Sequence, residues 1–128
     1  ATHVHVAVFS SLIGAGRIAL GDFCNISSRV SIYSSSDDYS GVTLTNPTVP
    51  DRYKNVEHAD VTLGRHVIIG CGSVVLPGVT LADGVAVGAL SLVKHDCAAF
   101  GNPARRIRER QRDLLALEQQ FLGERPGP

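Results

Sequence analysis

Tryptophan and methionine are absent from this sequence, and aromatic residues make up only 5% of it. Aromatic side chains supply much of the burial in an ordinary core. This interior must instead be assembled from Val, Ile, Leu and Ala in some regular way. Net charge is missing too, because 12 Lys and Arg balance 12 Asp and Glu. No global field draws in nucleic acid or an anionic membrane, so neither is expected as a partner. No apolar run approaches the ~20 residues of a bilayer span. The first residues carry no basic and apolar leader, so no signal peptide is expected. Three cysteines, Cys24, Cys71 and Cys97, form no even set and no CxxC. They are read as reduced thiols in the cytoplasm rather than a disulfide framework or a zinc site.

What is present is a repeat. Leu63, Ile69, Val75, Leu81, Val87 and Val93 recur every six residues. Val67, Ser73, Val79, Val85 and Ser91 form a second column four places after the first five of them. Gly64, Gly70, Ala82 and Gly88 follow directly behind an aliphatic. The same phase runs through Leu20, Ile26 and Ile32, with Cys24 and Val30 between them. Residues 8–19 fit less well: Val8 and Leu12 keep phase, but Gly14 stands where an aliphatic is expected.

A period of six suits neither a helix of 3.6 residues per turn nor a strand with period two. It suits short strands joined by turns and wound into a solenoid. Every third hexad then lies over the first, so 63 stacks under 81 and 69 under 87, in layers ~4.8 Å apart. Each inward aliphatic contributes ~1.5–3 kcal/mol on burial. The small residue after each one lets the chain turn, with Gly supplying the strained backbone.

The phase is lost between Ile32 and Val61. The segment between, with DDYSG, NPTVP, Pro47 and Pro50, is a loop by composition, and a loop this long in one domain is usually functional. Residues 103–122 carry a helical pattern, with Ile107, Leu114 and Phe121 seven apart and Leu115 and Leu122 beside them. The expected division is a solenoid domain over 1–98, with a loop at 34–60, and a C-terminal helix and tail over 99–128. The apolar face of that helix is expected on the open end of the solenoid or on a neighbouring subunit.

The stretch VTLGRHVIIGCGSVVLPGVTLADGVAVGALSLVKHD, with GNPARRIRE after it, resembles the hexapeptide-repeat acyltransferases. It is similar to their sugar acetyltransferase branch, which includes galactoside acetyltransferase. The resemblance covers roughly residues 10–112 and implies an all-β fold: a left-handed parallel β-helix with an extruded loop and a C-terminal α-helix. It also implies a homotrimer with active sites between subunits, acetyl-CoA as donor, and no metal. The acceptor it implies is a hydroxyl or amino group of a sugar or nucleotide-sugar, in surface polysaccharide synthesis.

In many such enzymes a His at the start of the extruded loop takes the acceptor's proton. Here that position falls on Asp37, with Asp38 next to it, and His58 stands at the far end of the loop. These three are the catalytic candidates. An amine acceptor needs less of a base, and O- and N-acetylation both stay open. The resemblance places CoA along Gly70, Cys71 and Ala89, with Lys94 and His95 near the end of the groove. Arg105 and Arg108 match its basic positions for the CoA phosphates, a role suited to the planar guanidinium fork. Two other readings are a γ-type carbonic anhydrase-like metalloenzyme, which needs converging His ligands, and a non-catalytic β-helix scaffold. The long polar loop and the two arginines argue against the scaffold.

Overall fold

The computed structural model describes residues 1–95 and 113–124. Its strands are two or three residues long and wind around three parallel sheets. The first sheet stacks β1 (His5–Val6), β4 (Asn25–Ile26), β9 (Ile68–Ile69) and β12 (Ala86–Val87). The second stacks β2 (Ser11–Ile13), β5 (Ser31–Tyr33), β10 (Val74–Val75) and β13 (Leu92–Val93). The third stacks β3 (Ile18–Leu20), β8 (Val61–Leu63) and β11 (Thr80–Leu81). The two columns seen in the sequence both point inward. Ile26, Ile32, Ile69, Val75 and Val93 are fully buried, as are Val30, Val67 and Val79. Leu63 pairs with Leu81 and Ile69 with Val87, as the sixfold phase requires.

Two details differ from the sequence reading. The first is the phase of the opening coil. Val6 pairs with Ile26 and Leu12 with Ile32, while Val8 is 61% exposed. Two extra residues are absorbed at Gly14–Ala15–Gly16, where Gly14 adopts φ +135°, a conformation that glycine tolerates best. The second is the purpose of the glycines behind the aliphatics. Gly21, Gly64 and Gly70 are absent from the positive-φ residues. They are small because the next coil lies against them: a Cβ at Gly64 would stand 2.7 Å from Asp83 N, and one at Gly70 2.7 Å from Gly88 C.

The positive φ values fall instead on a later residue of each turn. At the corner joining the third sheet to the first they are His3, Phe23, His66 and Gly84. At the corner joining the first sheet to the second they are Phe9, Arg29, Gly72 and Leu90. A side chain in this region costs on the order of 1 kcal/mol. At the first of these corners ring stacking offsets the cost. Phe23 lies parallel to His3 and to His66, with centroids 4.9 and 5.0 Å away.

Helix α1 (Asp113–Gly123) docks on that stack rather than on the open end. Phe121 meets His3 and Phe23 edge-on at 5.1 and 6.1 Å. Its expected apolar stripe is only half covered, since Leu115 and Phe121 are 43% and 46% exposed. The residue the helix buries is Glu118, whose carboxylate meets Arg65 and His66. Ile107 and the start of the expected helix lie outside the described residues.

Candidate active site at the loop corner

The third corner joins the second sheet to the third, and here the chain leaves the coil. Its departure is built as a neck. Strand β6 (Ser35–Ser36) pairs antiparallel with β7 (Glu57–His58), in the register Ser35 to His58 and Ser36 to Glu57. Backbone bonds seal its base: Ala59 N donates to Ser34 O at 3.0 Å, and Arg17 N donates to the Asp60 carboxylate at 2.8 Å. Farther out, Leu44 N donates to Tyr53 O at 2.9 Å, and a 3-10 turn at Asp51–Tyr53 follows Pro50. Polar turn residues thus fold the excursion on itself by local hydrogen bonds.

The neck brings together residues that are far apart in sequence. His58 is exposed and sits beside Ser35, its Nδ1 2.6 Å from the Ser35 hydroxyl. Asp37, also exposed, follows two residues after Ser35. Asp38 is engaged within the loop. One carboxylate oxygen accepts from Ser40 N at 2.9 Å and the other from the Thr43 hydroxyl at 3.0 Å. The bonds from Ser40, then that from Thr43, hold its acid below the ordinary 3.8. Beside His58 lies a cleft of about 470 Å³ lined by Asp51, Lys54, Asn55 and Val56 as well. One coil later the same corner holds Gly78, where a Cβ would be 3.6 Å from that of His95 and 3.7 Å from that of Ala59. His95 and the neck therefore share a corner.

The other expected groove residues sit elsewhere. Cys71 and Ala89 are exposed and stacked on the corner between the first and second sheets, where Leu90 N donates to Cys71 O at 2.9 Å. The second sheet separates this corner from the neck. Lys94, exposed, follows β13 at the end of that sheet nearer the neck. Arg105 and Arg108 lie outside the described residues. Cys24 is buried and donates to Gly64 O at 3.0 Å; burial pushes its thiol up, so it stays protonated and structural. His58 and His66 stand on different corners and do not converge on one ion. Among the described residues no three His, Cys, Asp or Glu side chains group for a metal, and no helix is long and apolar enough to cross a membrane.

Sequence reasoning missed Ser35, Lys54 and Asn55. A signal for Ser35 existed in the run of serines just before Asp37, but nothing in the phase told one serine from the next.

Three interwound parallel sheets with a loop thrown out at one corner define a parallel β-helix. No protein-family profile matches the chain. It is 54% identical over 123 residues to a dTDP-4-amino-4,6-dideoxy-D-glucose acyltransferase of Escherichia coli, spanning 93% of this chain and 64% of that protein's length. A serine variant of AntD, an N-acyltransferase from Bacillus cereus solved with dTDP-4-amino-4,6-dideoxyglucose and coenzyme A, superposes with a TM-score of 0.89 at 41% identity. That match covers 95% of this chain and 68% of AntD. A maltose O-acetyltransferase from Clostridium difficile, at 19% identity and a TM-score of 0.55, shares the fold; the match covers 85% of this chain and 71% of that one. The chain belongs to the hexapeptide-repeat acyltransferases, and its solenoid is the left-handed parallel β-helix of that family.

Proposed function

We propose that this chain carries the acyl-transfer site of an N-acyltransferase acting on a nucleotide-linked 4-amino-4,6-dideoxy sugar in surface polysaccharide synthesis, with acyl-CoA as donor. The observation that carries the reading is the match, across 95% of the chain, to an N-acyltransferase solved with such an amino sugar and coenzyme A. Acetyl-CoA is the expected donor. AntD has also been solved with 3-hydroxybutyryl-CoA, so a short hydroxyacyl donor belongs in the same test.

The loop corner suits an amine. A neutral amine attacks a thioester without a strong base and needs chiefly to be held and relieved of one proton. Asp37, exposed beside the neck, accepts the amine's hydrogen bond and its proton. Asp38, committed to Ser40 and Thr43, shapes the loop around it. The cleft at Lys54, Asn55 and His58 receives the acceptor. The exposed column of Cys71 and Ala89, with Gly70 behind it, lets the donor's pantetheine arm lie close to backbone. Lys94, and Arg105 and Arg108 beyond it, meet the CoA phosphates.

A homotrimer in the cytoplasm is part of this reading. The second sheet, between the two corners, turns Ile13, Tyr33, Leu76 and Leu92 outward, and Ile13 is 49% exposed. That apolar face suits a neighbouring subunit whose surface completes the groove. The test is thiol release from acetyl-CoA and 3-hydroxybutyryl-CoA with dTDP-4-amino-4,6-dideoxyglucose and its 4-hydroxy counterpart. Turnover is expected with the amine only. Turnover with the hydroxyl sugar alone overturns the N-acyl assignment, and light scattering giving a monomer overturns the trimer.

A further inference from the structure

The Ser35 hydroxyl has two polar neighbours, one from the first coil and one across the neck. Ala15 N donates to Ser35 Oγ at 2.8 Å, from the Gly14–Ala15–Gly16 bulge of the first coil. The other neighbour is His58 Nδ1 at 2.6 Å. Ala15 N–H already occupies one lone pair of Oγ, which leaves the hydroxyl's single proton free to be donated to Nδ1, the acceptor in that arrangement. A neutral imidazole with a lone pair on Nδ1 carries its proton on Nε2. His58 then presents an N–H beside the acceptor cleft rather than a basic lone pair.

We propose that Ser35 is a positioning residue that locks His58 in the Nε2–H tautomer, so that His58 donates to the developing oxyanion instead of acting as the base. This deepens the acyl-transfer reading and rests on it. In the reaction the amine nitrogen forms the new C–N bond with the thioester carbonyl carbon, and the carbonyl oxygen becomes an oxyanion. His58 Nε2–H donates to that oxygen. The intermediate collapses, the C–S bond breaks, and CoA leaves as the thiolate. The amine's proton passes to Asp37 and on to the thiolate or solvent. One preorganised donor of this kind is worth roughly 10²–10³ in kcat.

The bulge acquires a purpose from this geometry. Its two extra residues bring a backbone N–H up to Ser35. Gly14 leaves room for the neck, since a Cβ there would meet the Ser34 hydroxyl and stand 2.7 Å from Ser35 N. The departure from the sixfold phase and the orientation of His58 thus share a cause.

The test has a part that needs no substrate. Nitrogen-15 NMR of the wild-type chain at about pH 8, where an ordinary imidazole is neutral, is expected to show His58 protonated on Nε2. Ser35→Ala is expected to give a mixture of tautomers, and Ser35→Thr, which keeps the hydroxyl, to restore the wild-type spectrum. A proton on Nδ1 in the wild type, or an unchanged spectrum in Ser35→Ala, overturns the proposal. The second part uses turnover. His58→Gln places a side-chain N–H near the position of Nε2 and is expected to keep kcat within about tenfold, while His58→Ala loses about a hundredfold. Equal loss in the two variants overturns the donor role. Wild-type protein inactive toward every acceptor means that the acyl-transfer reading has failed, and with it the donor role, while the NMR result separately decides what Ser35 does to the ring.

Discussion

His58 and His66 are close neighbours in sequence, yet they occupy different corners of the solenoid and make opposite uses of the imidazole. His66 adopts φ +57°, its side chain is 12% exposed, and it lies flat on Phe23. Its Nε2 meets the buried Glu118 carboxylate at 3.1 Å. These contacts tie one part of the chain to another. His58 is exposed at the neck of the loop, with Nδ1 on a serine and a cleft beside it. One ring closes a corner and the other is held beside an opening. What separates them is the partner presented by neighbouring coils, which residue type alone does not reveal.

Replacing each histidine by alanine is the most direct way to break this comparison. His58→Ala is expected to lower kcat about a hundredfold, because a preorganised donor is lost, and to leave the melting temperature near that of the wild type. His66→Ala is expected to do the reverse. It removes a ring stack and the partner of a buried carboxylate, so stability falls by about 1–2 kcal/mol while kcat changes less than twofold. Thermal melts and steady-state rates on the two variants separate the roles. A large loss of rate in His66→Ala with the fold intact would falsify the assignment.

The coil was legible because solenoid packing repeats the same demand. Most inward positions take a Val, Ile or Leu, and the positions where a neighbouring coil comes close take Gly or Ala, so the pattern recurs until it cannot be missed. The corners were less legible, since a positive φ can fall on Phe23, Arg29 or His66 as well as on glycine when packing compensates. The site was the least legible. Asp37, Asp38 and His58 stood out as chemistry-bearing residues at the two ends of a loop. The two ends are joined by an antiparallel neck of two residues per strand, too short to show any alternation. Ser35 is chemically unremarkable until Ala15 and His58 are placed on either side of it.

Gly14 links the two regions, since it belongs to the coil yet supports the neck. Gly14→Ala puts a side chain at φ +135° and drives a methyl group against Ser34 and the Ser35 backbone. The backbone penalty is about 1–3 kcal/mol. Displacement of Ser35 should also loosen its hold on His58. A combined effect is expected: a lower melting temperature, and kcat reduced about tenfold in the protein that remains folded. Gly41 makes the matching control. It has φ +85° but nothing within 4 Å of an added Cβ, so Gly41→Ala carries the strain without the clash. A rate lowered equally in both variants would show that backbone strain in the loop, rather than contact with Ser35, governs the site.

The smallest expected effect probes the closed corner by pH. The hydrogen bond with His66 does most to hold the Glu118 carboxyl below its ordinary 4.5; burial works against it, and the charge of Arg65 adds to the lowering. Because the folded value is depressed, the ionised carboxylate contributes stability that is fully present above pH 4.5. That contribution is lost as pH falls through the lower folded value. Glu118→Gln keeps the shape of the side chain without its charge and should reduce stability modestly near neutrality. The gap between wild type and variant should narrow as pH drops below 4.5 and close once the wild-type carboxyl is protonated. Melting curves of both proteins from neutral pH into acid measure that gap directly. A gap that stayed constant across the range would mean that α1 is held by Phe121 and its ring contacts, with the buried carboxylate adding nothing to the docking.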